Sequence, residues 1–324
     1  MTATTLRAAI LMPVFRDWHS AALLCARLDA ELARLPAVSA RILLVDDGTP
    51  EGVEWPPAAP CHALARIDVL RLRRNLGHQR AIAEGLCYID EHLPCDAVLV
   101  MDADGEDRPE DAARLIGLFL AQPARPIFAE RRKRHEGAVF QTGYNLYRLV
   151  HRLLTGISVR VGNFSILPYA AVRRLVTMPE LWNHFAGAVF KSRLPFDCVP
   201  IDRGRRLCGQ SHMNLPALVA HGIAGVATFQ ETVATRILIL NAASLVLLTL
   251  LLALIVIVRL ATRLAIPGWA TYTAGLVLVL AVQMMAISFS LLFTLIANRT
   301  ANSFVPRRDY ALFIDRIDCL AERS

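Results

Sequence analysis

The sequence predicts an α/β domain with a mostly parallel sheet, followed by two helices that cross a membrane. Two observations support this prediction. Over residues 1–130, short apolar runs alternate with helical patterns, which is typical of βαβ units. Residues 237–297 carry only two charged side chains, Arg259 and Arg263, whereas most of the acidic residues precede this segment.

The elements of the α/β domain follow from hydrophobic periodicity. The runs with strand length are Ala8–Met12, Ile42–Val45, Val69–Leu72, Ala97–Met101, Val161–Leu167 and Phe196–Ile201. The helical patterns are Ala21–Leu35, Gln79–Glu91 and Gln141–Thr155. Because ligands bind beyond the carboxyl ends of strands in such sheets, we expect functional residues directly after the apolar runs.

Two later stretches, Ile237–Val258 and Trp269–Ala297, reach the roughly 20 apolar residues that a bilayer requires. A buried helix pair in a soluble core is the alternative. More arginines flank the pair than lie in the turn between them, so the positive-inside rule predicts that both termini are cytoplasmic. The predicted segments are an α/β domain over 1–213, an interfacial juxtamembrane helix over 214–235, two transmembrane helices over 236–298 and a cytoplasmic tail over 299–324.

Composition narrows the class of protein. The net charge of +7 comes mostly from arginine and suits nucleic acid, anionic lipid or phosphorylated ligands. The chain has no zinc-finger spacing and no basic region followed by heptads, which argues against nucleic acid. Its seven cysteines form no C-x-x-C pair, as is usual in a reduced compartment. The apolar stretch Ala8–Val14 is too short for a signal peptide, so we expect a multi-pass protein of the inner (plasma) membrane with a cytoplasmic catalytic domain.

Two carboxylates follow the fourth apolar run. Asp102 and Asp104, at positions i and i+2 after the strand, point in roughly the same direction and can share one divalent cation. Oxygen ligands suit Mg²⁺ or Mn²⁺, which can bridge the oxygens of a diphosphate. The alternative is that such acids only cap the next helix, a role for which Asp107 and Glu110 are also available.

Acidic residues also follow the first two runs. Asp46, in Asp46-Asp47-Gly48-Thr49, can accept hydrogen bonds from a nucleobase or a ribose, although a plain Asp/Gly turn is the alternative. The segment Pro13-Val14-Phe15-Arg16-Asp17 ends the first run. Acids at three strand ends of one parallel sheet together indicate a ligand site.

In their order and spacing, these motifs resemble those of the family 2 glycosyltransferases of GT-A (Rossmann-like) fold. The resemblance rests on Pro13-Val14-Phe15, Asp46-Asp47-Gly48-Thr49, Asn75-Leu76-Gly77-His78-Gln79 and Asp102-Ala103-Asp104. Arg131-x-x-Arg134, Arg203-x-x-Arg206-x-x-Gly209-x-Ser211 and the two C-terminal spans are similar to the polyprenyl-phosphate glycosyltransferase branch, which includes dolichol-phosphate mannose synthase and the bactoprenol glucosyltransferases.

The resemblance implies roles for individual residues. The donor-binding residues would be Pro13, Phe15, Asp17, Asp46, Asp47, Asn75, Gln79 and Asp102. The metal ligands would be Asp102, Asp104 and Glu106, with Glu106 standing where many relatives have Gln. The catalytic residues would be Asp104, Asn163, Arg131 and Arg134, and the acceptor phosphate would lie against Arg203, Arg206, Ser211 and His212. For the arginines, a solvated basic surface against anionic lipid is the alternative.

Two positions depart from the family pattern. Asn163, in Gly162-Asn163-Phe164, stands where many relatives have an Asp that is a candidate catalytic base, and an amide cannot take a proton at neutral pH. A phosphate acceptor is already ionised and needs little help from a base, whereas a hydroxyl acceptor needs another one. Ser211-His212 replaces the more usual Ser-Lys pair. The isolated histidines His78, His184 and His221 are expected to serve packing or hydrogen bonding.

Together these expectations predict an inverting enzyme that moves a sugar from a nucleotide-sugar donor to a polyprenyl phosphate at the cytoplasmic membrane face. One alternative is transfer to another membrane lipid or a lipid-linked glycan. Another is a catalytically weakened scaffold that binds a nucleotide sugar or lipid, an option that Asn163 keeps open. A homo-oligomer and a separate flippase are further expected partners, because two spans form no conduit by themselves.

Overall fold

The computed structural model describes residues 5–50, 61–131, 149–156, 161–208, 222–262, 268–300 and 304–323, with side chains left out at residue 131 and at 298–300. The chain forms two compact units. The α/β unit comprises Met1–Asn145, Ser158–Thr228 and Phe304–Ser324, and the helical unit comprises Leu146–Ile157 and Phe229–Ser303.

Among the described residues of the α/β unit, eight strands form one sheet. The strands are β1 (Leu6–Val14), β2 (Val38–Asp46), β3 (Leu64–Leu72), β4 (Ala97–Val100), β5 (Ile127–Arg131), β6 (Ser165–Pro168), β7 (Asp197–Ile201) and β8 (Ile314–Glu322). Their order across the sheet is β7-β5-β6-β4-β1-β2-β3-β8. The pairs β1–β2, β1–β4, β2–β3 and β5–β7 are parallel, whereas β6 and β8 run antiparallel to their neighbours. The predicted α/β class is confirmed, with a mixed sheet.

Helices cover both faces of this sheet. They are α1 (Trp18–Leu32), α2 (His78–His92), α3 (Pro109–Ala121), α4 (Tyr169–Leu175), α5 (Phe185–Lys191) and the short α8 (Pro306–Asp309). One apolar cluster includes residues of α1 and α3, and a second includes residues of α2, α4 and α5. Because both faces are covered, the central strands are almost continuously apolar. In β1, for example, the successive residues Ile10, Leu11 and Met12 are fully buried.

Helix α2 lies close against the sheet because of a glycine. A Cβ atom at Gly85 would lie 2.2 Å from Leu11 Cδ1 and 2.9 Å from Val45 Cγ2. Only a residue without a side chain therefore allows this approach to β1 and β2. The first turn of α2, which carries His78 and Gln79, is thereby held beside the carboxyl ends of these strands.

The C-terminal segment corrects one expectation. A cytoplasmic tail was expected over 299–324, but the described part of this segment forms α8 and the strand β8, which pairs with β3. Arg307 Nε donates to Asp90 Oδ2 at 2.7 Å, and the hydroxyl of Tyr310 donates to Glu91 Oε2 at 2.5 Å. These contacts attach the segment to the C-terminal end of α2. Charged residues along β8 suit a sheet edge and obscure the apolar alternation of a strand.

The helical unit contains α6 (Gln230–Ala261) and α7 (Trp269–Thr300). Over Gln230–Ala261 and Trp269–Ala297, these helices are long and apolar enough to cross a membrane. Helix α6 begins before the boundary predicted at residue 236, so residues 230–235, the end of the predicted interfacial segment, belong to it, whereas residues 214–221 of that segment lie outside the described residues. The amide of Asn241 donates to Ser288 Oγ at 3.2 Å, which links the two helices.

Candidate active site

Loops that follow β1, β2, β3 and β4 lie beside one another, because these four strands are neighbours and parallel. They carry most of the residues predicted from the sequence. Pro13 is buried within β1, opposite Val45 of β2, whereas Phe15 lies beyond the strand with 38% of its surface exposed. The site therefore lies at the carboxyl ends of these strands, where the ring of Phe15 is accessible.

Asp46 connects the loop after β2 to two other segments. Its Oδ1 accepts a hydrogen bond from Thr49 N at 3.0 Å, and its Oδ2 accepts one from Arg71 Nη1 at 3.1 Å. Thr49 Oγ1 in turn accepts from Arg16 N at 3.1 Å. Arg16 has φ of 64°, an uncommon conformation for a residue other than glycine, which turns the chain after Phe15.

Asp47 fixes the turn that precedes α2. Its carboxylate accepts hydrogen bonds from Leu76 N at 2.6 Å and from Gly77 N at 2.9 Å. Burial raises the pKa of Asp47, although these two amides oppose the shift. A Cβ atom at Gly48, where φ is 70°, would lie 2.4 Å from Asn75 N, so the two loops are in direct contact. Asp47 thus supports this turn, and its contact with a donor stays a prediction.

A chain of hydrogen bonds orients Asn163. Phe185 N donates to Gln79 Oε1 at 2.7 Å, which directs the amide nitrogen of Gln79 towards Asn163 Oδ1 at 3.2 Å. The amide nitrogen of Asn163 therefore faces His78 Nε2 at 3.0 Å. Because Gln79 is held by a backbone N–H group, which can only donate, the orientation of both amides follows from the network.

His78 is a site residue that the sequence analysis assigned to packing or hydrogen bonding. Its Nε2 lies 3.3 Å from Asp102 Oδ1 as well as beside Asn163. Burial lowers the pKa of His78, but the nearby carboxylates of Asp102, Asp47 and Asp104 outweigh burial and raise it above its ordinary value. A neutral Nε2 accepts from Asn163, whereas a protonated Nε2 donates to Asp102. The available signal was the place of His78 within the motif Asn75-Leu76-Gly77-His78-Gln79.

The acidic loop after β4 is held by its own side chains. Asp107, which is fully buried, accepts a hydrogen bond from Asp102 N at 2.9 Å. Asp104 accepts one from Glu106 N, also at 2.9 Å. Burial raises the pKa of Asp104, while the Glu106 amide and the charge of Arg206 lower it. Asp107 therefore shapes this loop and does not cap α3, whose N-cap residue is Arg108.

Two arginines after β7 contact these acids. Arg206 Nη2 lies 2.9 Å from Asp104 Oδ2, and its Nη1 lies 3.5 Å from Asp17 Oδ2. Arg203 Nε donates to Glu106 Oε2 at 2.6 Å. Within the described residues, no three His, Cys, Asp or Glu side chains are grouped so that they could hold a metal ion. The predicted metal site of three carboxylates is therefore not assembled here, because arginines are the cationic partners of Asp104 and Glu106.

Four predicted residues have no described side chain. Arg134, Ser211 and His212 lie outside the described residues, and Arg131 is described only as the last backbone position of β5. Their roles stay predictions.

Comparison with known proteins settles the family. The model of Glycosyl transferase family 2 matches residues 9–176, which is more than half of the 324-residue chain. The chain belongs to this family. Membership confirms the resemblance drawn from the sequence motifs and, with the sheet described above, the GT-A fold class.

Two curated relatives from different organisms have the same name. An undecaprenyl-phosphate 4-deoxy-4-formamido-L-arabinose transferase of Erwinia tasmaniensis is 33% identical over 111 residues, which cover 34% of this chain and 33% of the relative. A protein of the same name from Klebsiella pneumoniae subsp. pneumoniae is 24% identical over 299 residues, covering 87% of this chain and 84% of the relative. The match to the Erwinia protein thus spans about a third of its length.

Solved structures of glucosyl-3-phosphoglycerate synthase from Mycobacterium tuberculosis are similar in fold. One of them, in complex with Mn²⁺, uridine-diphosphate-glucose and phosphoglyceric acid, has a TM-score of 0.49 and 14% identity. The similarity covers 70% of this chain and 79% of that one.

Proposed function

We propose that this protein transfers a sugar from a nucleotide-sugar donor to a polyprenyl phosphate at the cytoplasmic face of a membrane. One observation carries the proposal: at the carboxyl ends of the strands, the acids that follow β1 and β4 form ion pairs with Arg203 and Arg206. Membership of the family, the names of the curated relatives and two helices long enough to span a bilayer support it. Inversion follows from the family resemblance.

On this proposal the donor nucleoside lies against Phe15 and Asp46, with Asn75 and Gln79 nearby. Asp102 and Asp104 fit a divalent cation, because both are oxygen ligands on one loop and Asp104 already attracts the guanidinium of Arg206. When bound, Mg²⁺ or Mn²⁺ would neutralise the charge that develops on the diphosphate leaving group. Glu106 would become a third ligand of the cation only after its hydrogen bond with Arg203 is broken.

Arg203 and Arg206 are suited to bind the acceptor. A guanidinium forms short, charge-assisted hydrogen bonds with carboxylate and phosphate alike, so each arginine can exchange its present carboxylate for a phosphate oxygen. A phosphate oxygen of the acceptor forms the new bond to the anomeric carbon, and the bond from that carbon to the diphosphate oxygen breaks. The acceptor oxygen carries no proton, so Asn163 needs only to orient groups, as its hydrogen-bond chain does.

A donor screen tests this proposal. The full chain is purified in detergent and incubated with undecaprenyl phosphate, Mg²⁺ or Mn²⁺, and a panel of nucleotide sugars. We expect one donor to give a lipid-linked sugar. Transfer to diacylglycerol or to a lipid-linked glycan in place of undecaprenyl phosphate would replace the proposed acceptor. Nucleotide-sugar binding without any transfer would favour a scaffold.

A further inference from the structure

The last strand of the sheet reaches the donor side of the site through one arginine. Arg71 Nε, at the end of β3, donates to Asp318 Oδ2 on β8 at 2.6 Å. Nη1 of the same guanidinium donates to Asp46 Oδ2 at 3.1 Å. A carboxylate from the C-terminal segment is therefore joined to the carboxylate that we place beside the donor nucleoside.

Exposure differs along this chain of charges. The side chain of Asp46 is 3% exposed, that of Arg71 is 29% exposed and that of Asp318 is 33% exposed. A buried carboxylate needs a cationic or hydrogen-bonding partner, and Arg71 supplies one for Asp46. The guanidinium carbon of Arg71 also lies over the ring of Trp18, 5.9 Å from the ring centroid, within the range of a cation–π contact.

Contacts continue from Asp46 into the first loop. The opposite oxygen of Asp46 accepts from Thr49 N, and Thr49 Oγ1 accepts from Arg16 N, next to Phe15. The orientation of Asp46 is thus linked on one side to the loop with the exposed aromatic ring and on the other side to β8.

We propose that Asp318 is a positioning residue of the donor site. It holds Arg71 in the orientation that binds Asp46 and directs the Asp46 carboxylate towards the nucleoside of the donor, without touching the donor itself. The inference rests on the proposed function, because it assumes that a nucleoside diphosphate sugar binds at the carboxyl ends of β1 and β2.

Charge on Asp318 agrees with this role. The hydrogen bond from Arg71 lowers the pKa of Asp318, and Arg316, whose Nε lies 3.4 Å from the carboxylate, lowers it further. Asp318 is therefore an anion at neutral pH, as a partner for Arg71 must be.

Nucleotide binding and kinetics test the inference. With the full chain in detergent and Mg²⁺, the dissociation constants of UDP, GDP, dTDP and CDP are measured, and the tightest of the four is kept as the probe. Asp318→Asn should weaken binding of that probe about tenfold, since the hydrogen bond from Arg71 loses its charged acceptor. The KM for the matching nucleotide sugar should rise by a similar factor, while kcat stays within about twofold. The control is Asp315→Asn on the same strand, which removes an equal charge from an exposed residue paired with Arg316 and should change neither constant.

Two further variants separate positioning from a loss of folding. Asp318→Glu, which keeps the carboxylate, should recover most of the binding. Arg71→Ala combined with Asp318→Asn should bind no more weakly than Arg71→Ala alone, because both changes break one chain of contacts. Additive losses, or equal binding by wild type and Asp318→Asn, would overturn the inference and leave the proposed function standing. A wild type that binds none of the four nucleotides would overturn both.

Discussion

Asn163 is held in one orientation by hydrogen bonds that begin at the backbone amide of Phe185 and pass through Gln79. An aspartate at this position would still accept from Gln79 but would present an oxygen, not an N–H group, to His78. For an acceptor that is already anionic, this change brings no useful base and adds a negative charge close to Asp102. The variant Asn163→Asp therefore distinguishes a phosphate acceptor from a hydroxyl acceptor.

We expect Asn163→Asp to lower kcat with undecaprenyl phosphate by about tenfold, through lost orientation and repulsion of the phosphate. Asn163→Ala should have a similar effect, since it removes the same orientation. Measurement of kcat from pH 6 to pH 9 for both variants checks this prediction. Asn183→Asp, the same change at an exposed position of the α/β unit, serves as the control. A rise in kcat for Asn163→Asp would contradict a phosphate acceptor and favour a hydroxyl.

Glu84 is a second residue with a measurable consequence. It is fully buried on α2, and neither carboxyl oxygen has a hydrogen-bond partner among the residues that the structure describes. Burial raises the pKa of Glu84 from 4.5 to about 9. The unfolded chain therefore releases this proton near pH 4.5, whereas the folded chain keeps it up to about pH 9. Between these values a rise in pH favours the unfolded chain.

The free energy of unfolding should consequently fall as pH rises through this window, by up to about 1.4 kcal/mol per pH unit. Glu84→Gln, which resembles the neutral acid, should remove this part of the slope and stabilise the protein at pH 8. Denaturant titrations from pH 5 to pH 9 provide the test, with Glu110→Gln at an exposed position of α3 as the control. An unchanged slope in Glu84→Gln would show that the folded chain does not hold this proton.

At the scale of elements, the attachment of the C-terminal segment to α2 is the main feature. The hydroxyl of Tyr310 donates to Glu91, lies 3.1 Å from His92 Nε2 and is buried together with its ring. Arg307 pairs with both Asp90 and Glu91. The segment that follows the helical unit is thus held by side chains as well as by the β3–β8 pairing.

Tyr310→Phe should lower the free energy of unfolding of the α/β unit by about 1–2 kcal/mol, because a hydrogen bond to a charged group is lost without loss of the ring. The check is thermal denaturation in detergent against Tyr272→Phe, whose hydroxyl belongs to an exposed side chain on α7. Equal midpoints for the two variants would show that the contact with Glu91 contributes nothing to stability.

Some of these elements could be predicted from the sequence, and others could not. Strands β1 and β4 were predictable because buried parallel strands are short apolar runs followed by polar residues. Strand β8 was not predictable, because its charged residues hide the apolar alternation of a strand. The residue that Asp318 of β8 contacts, Arg71 on β3, lies 247 positions away in the sequence. Likewise, the acids after β4 were recognisable as a motif, whereas their pairing with Arg203 and Arg206 depends on the loop after β7, an outer strand of the sheet that is distant in sequence.

For the whole molecule, the distribution of arginines predicts that both termini face the cytoplasm. In a background without reactive native cysteines, Pro267→Cys should react with an impermeant thiol reagent added outside intact cells. Arg308→Cys should react only after the membrane is opened. The reverse pattern would contradict the topology and separate the α/β unit from cytoplasmic nucleotide sugars.

The most direct test of sugar transfer to a polyprenyl phosphate is the mass of the product formed from undecaprenyl phosphate and the donor that the screen selects. Wild type should yield undecaprenyl phosphate increased by one sugar residue, attached through the phosphate, and the nucleoside diphosphate should appear in equal amount. Asp104→Ala should lower this yield at least about a hundredfold, because a carboxylate that we propose as a cation ligand is lost. The control Asp197→Asn, at an exposed position of β7, should retain the wild-type yield. A sugar attached to a hydroxyl lipid would contradict transfer to a phosphate, and an undiminished yield from Asp104→Ala would contradict the proposed role of this carboxylate as a cation ligand.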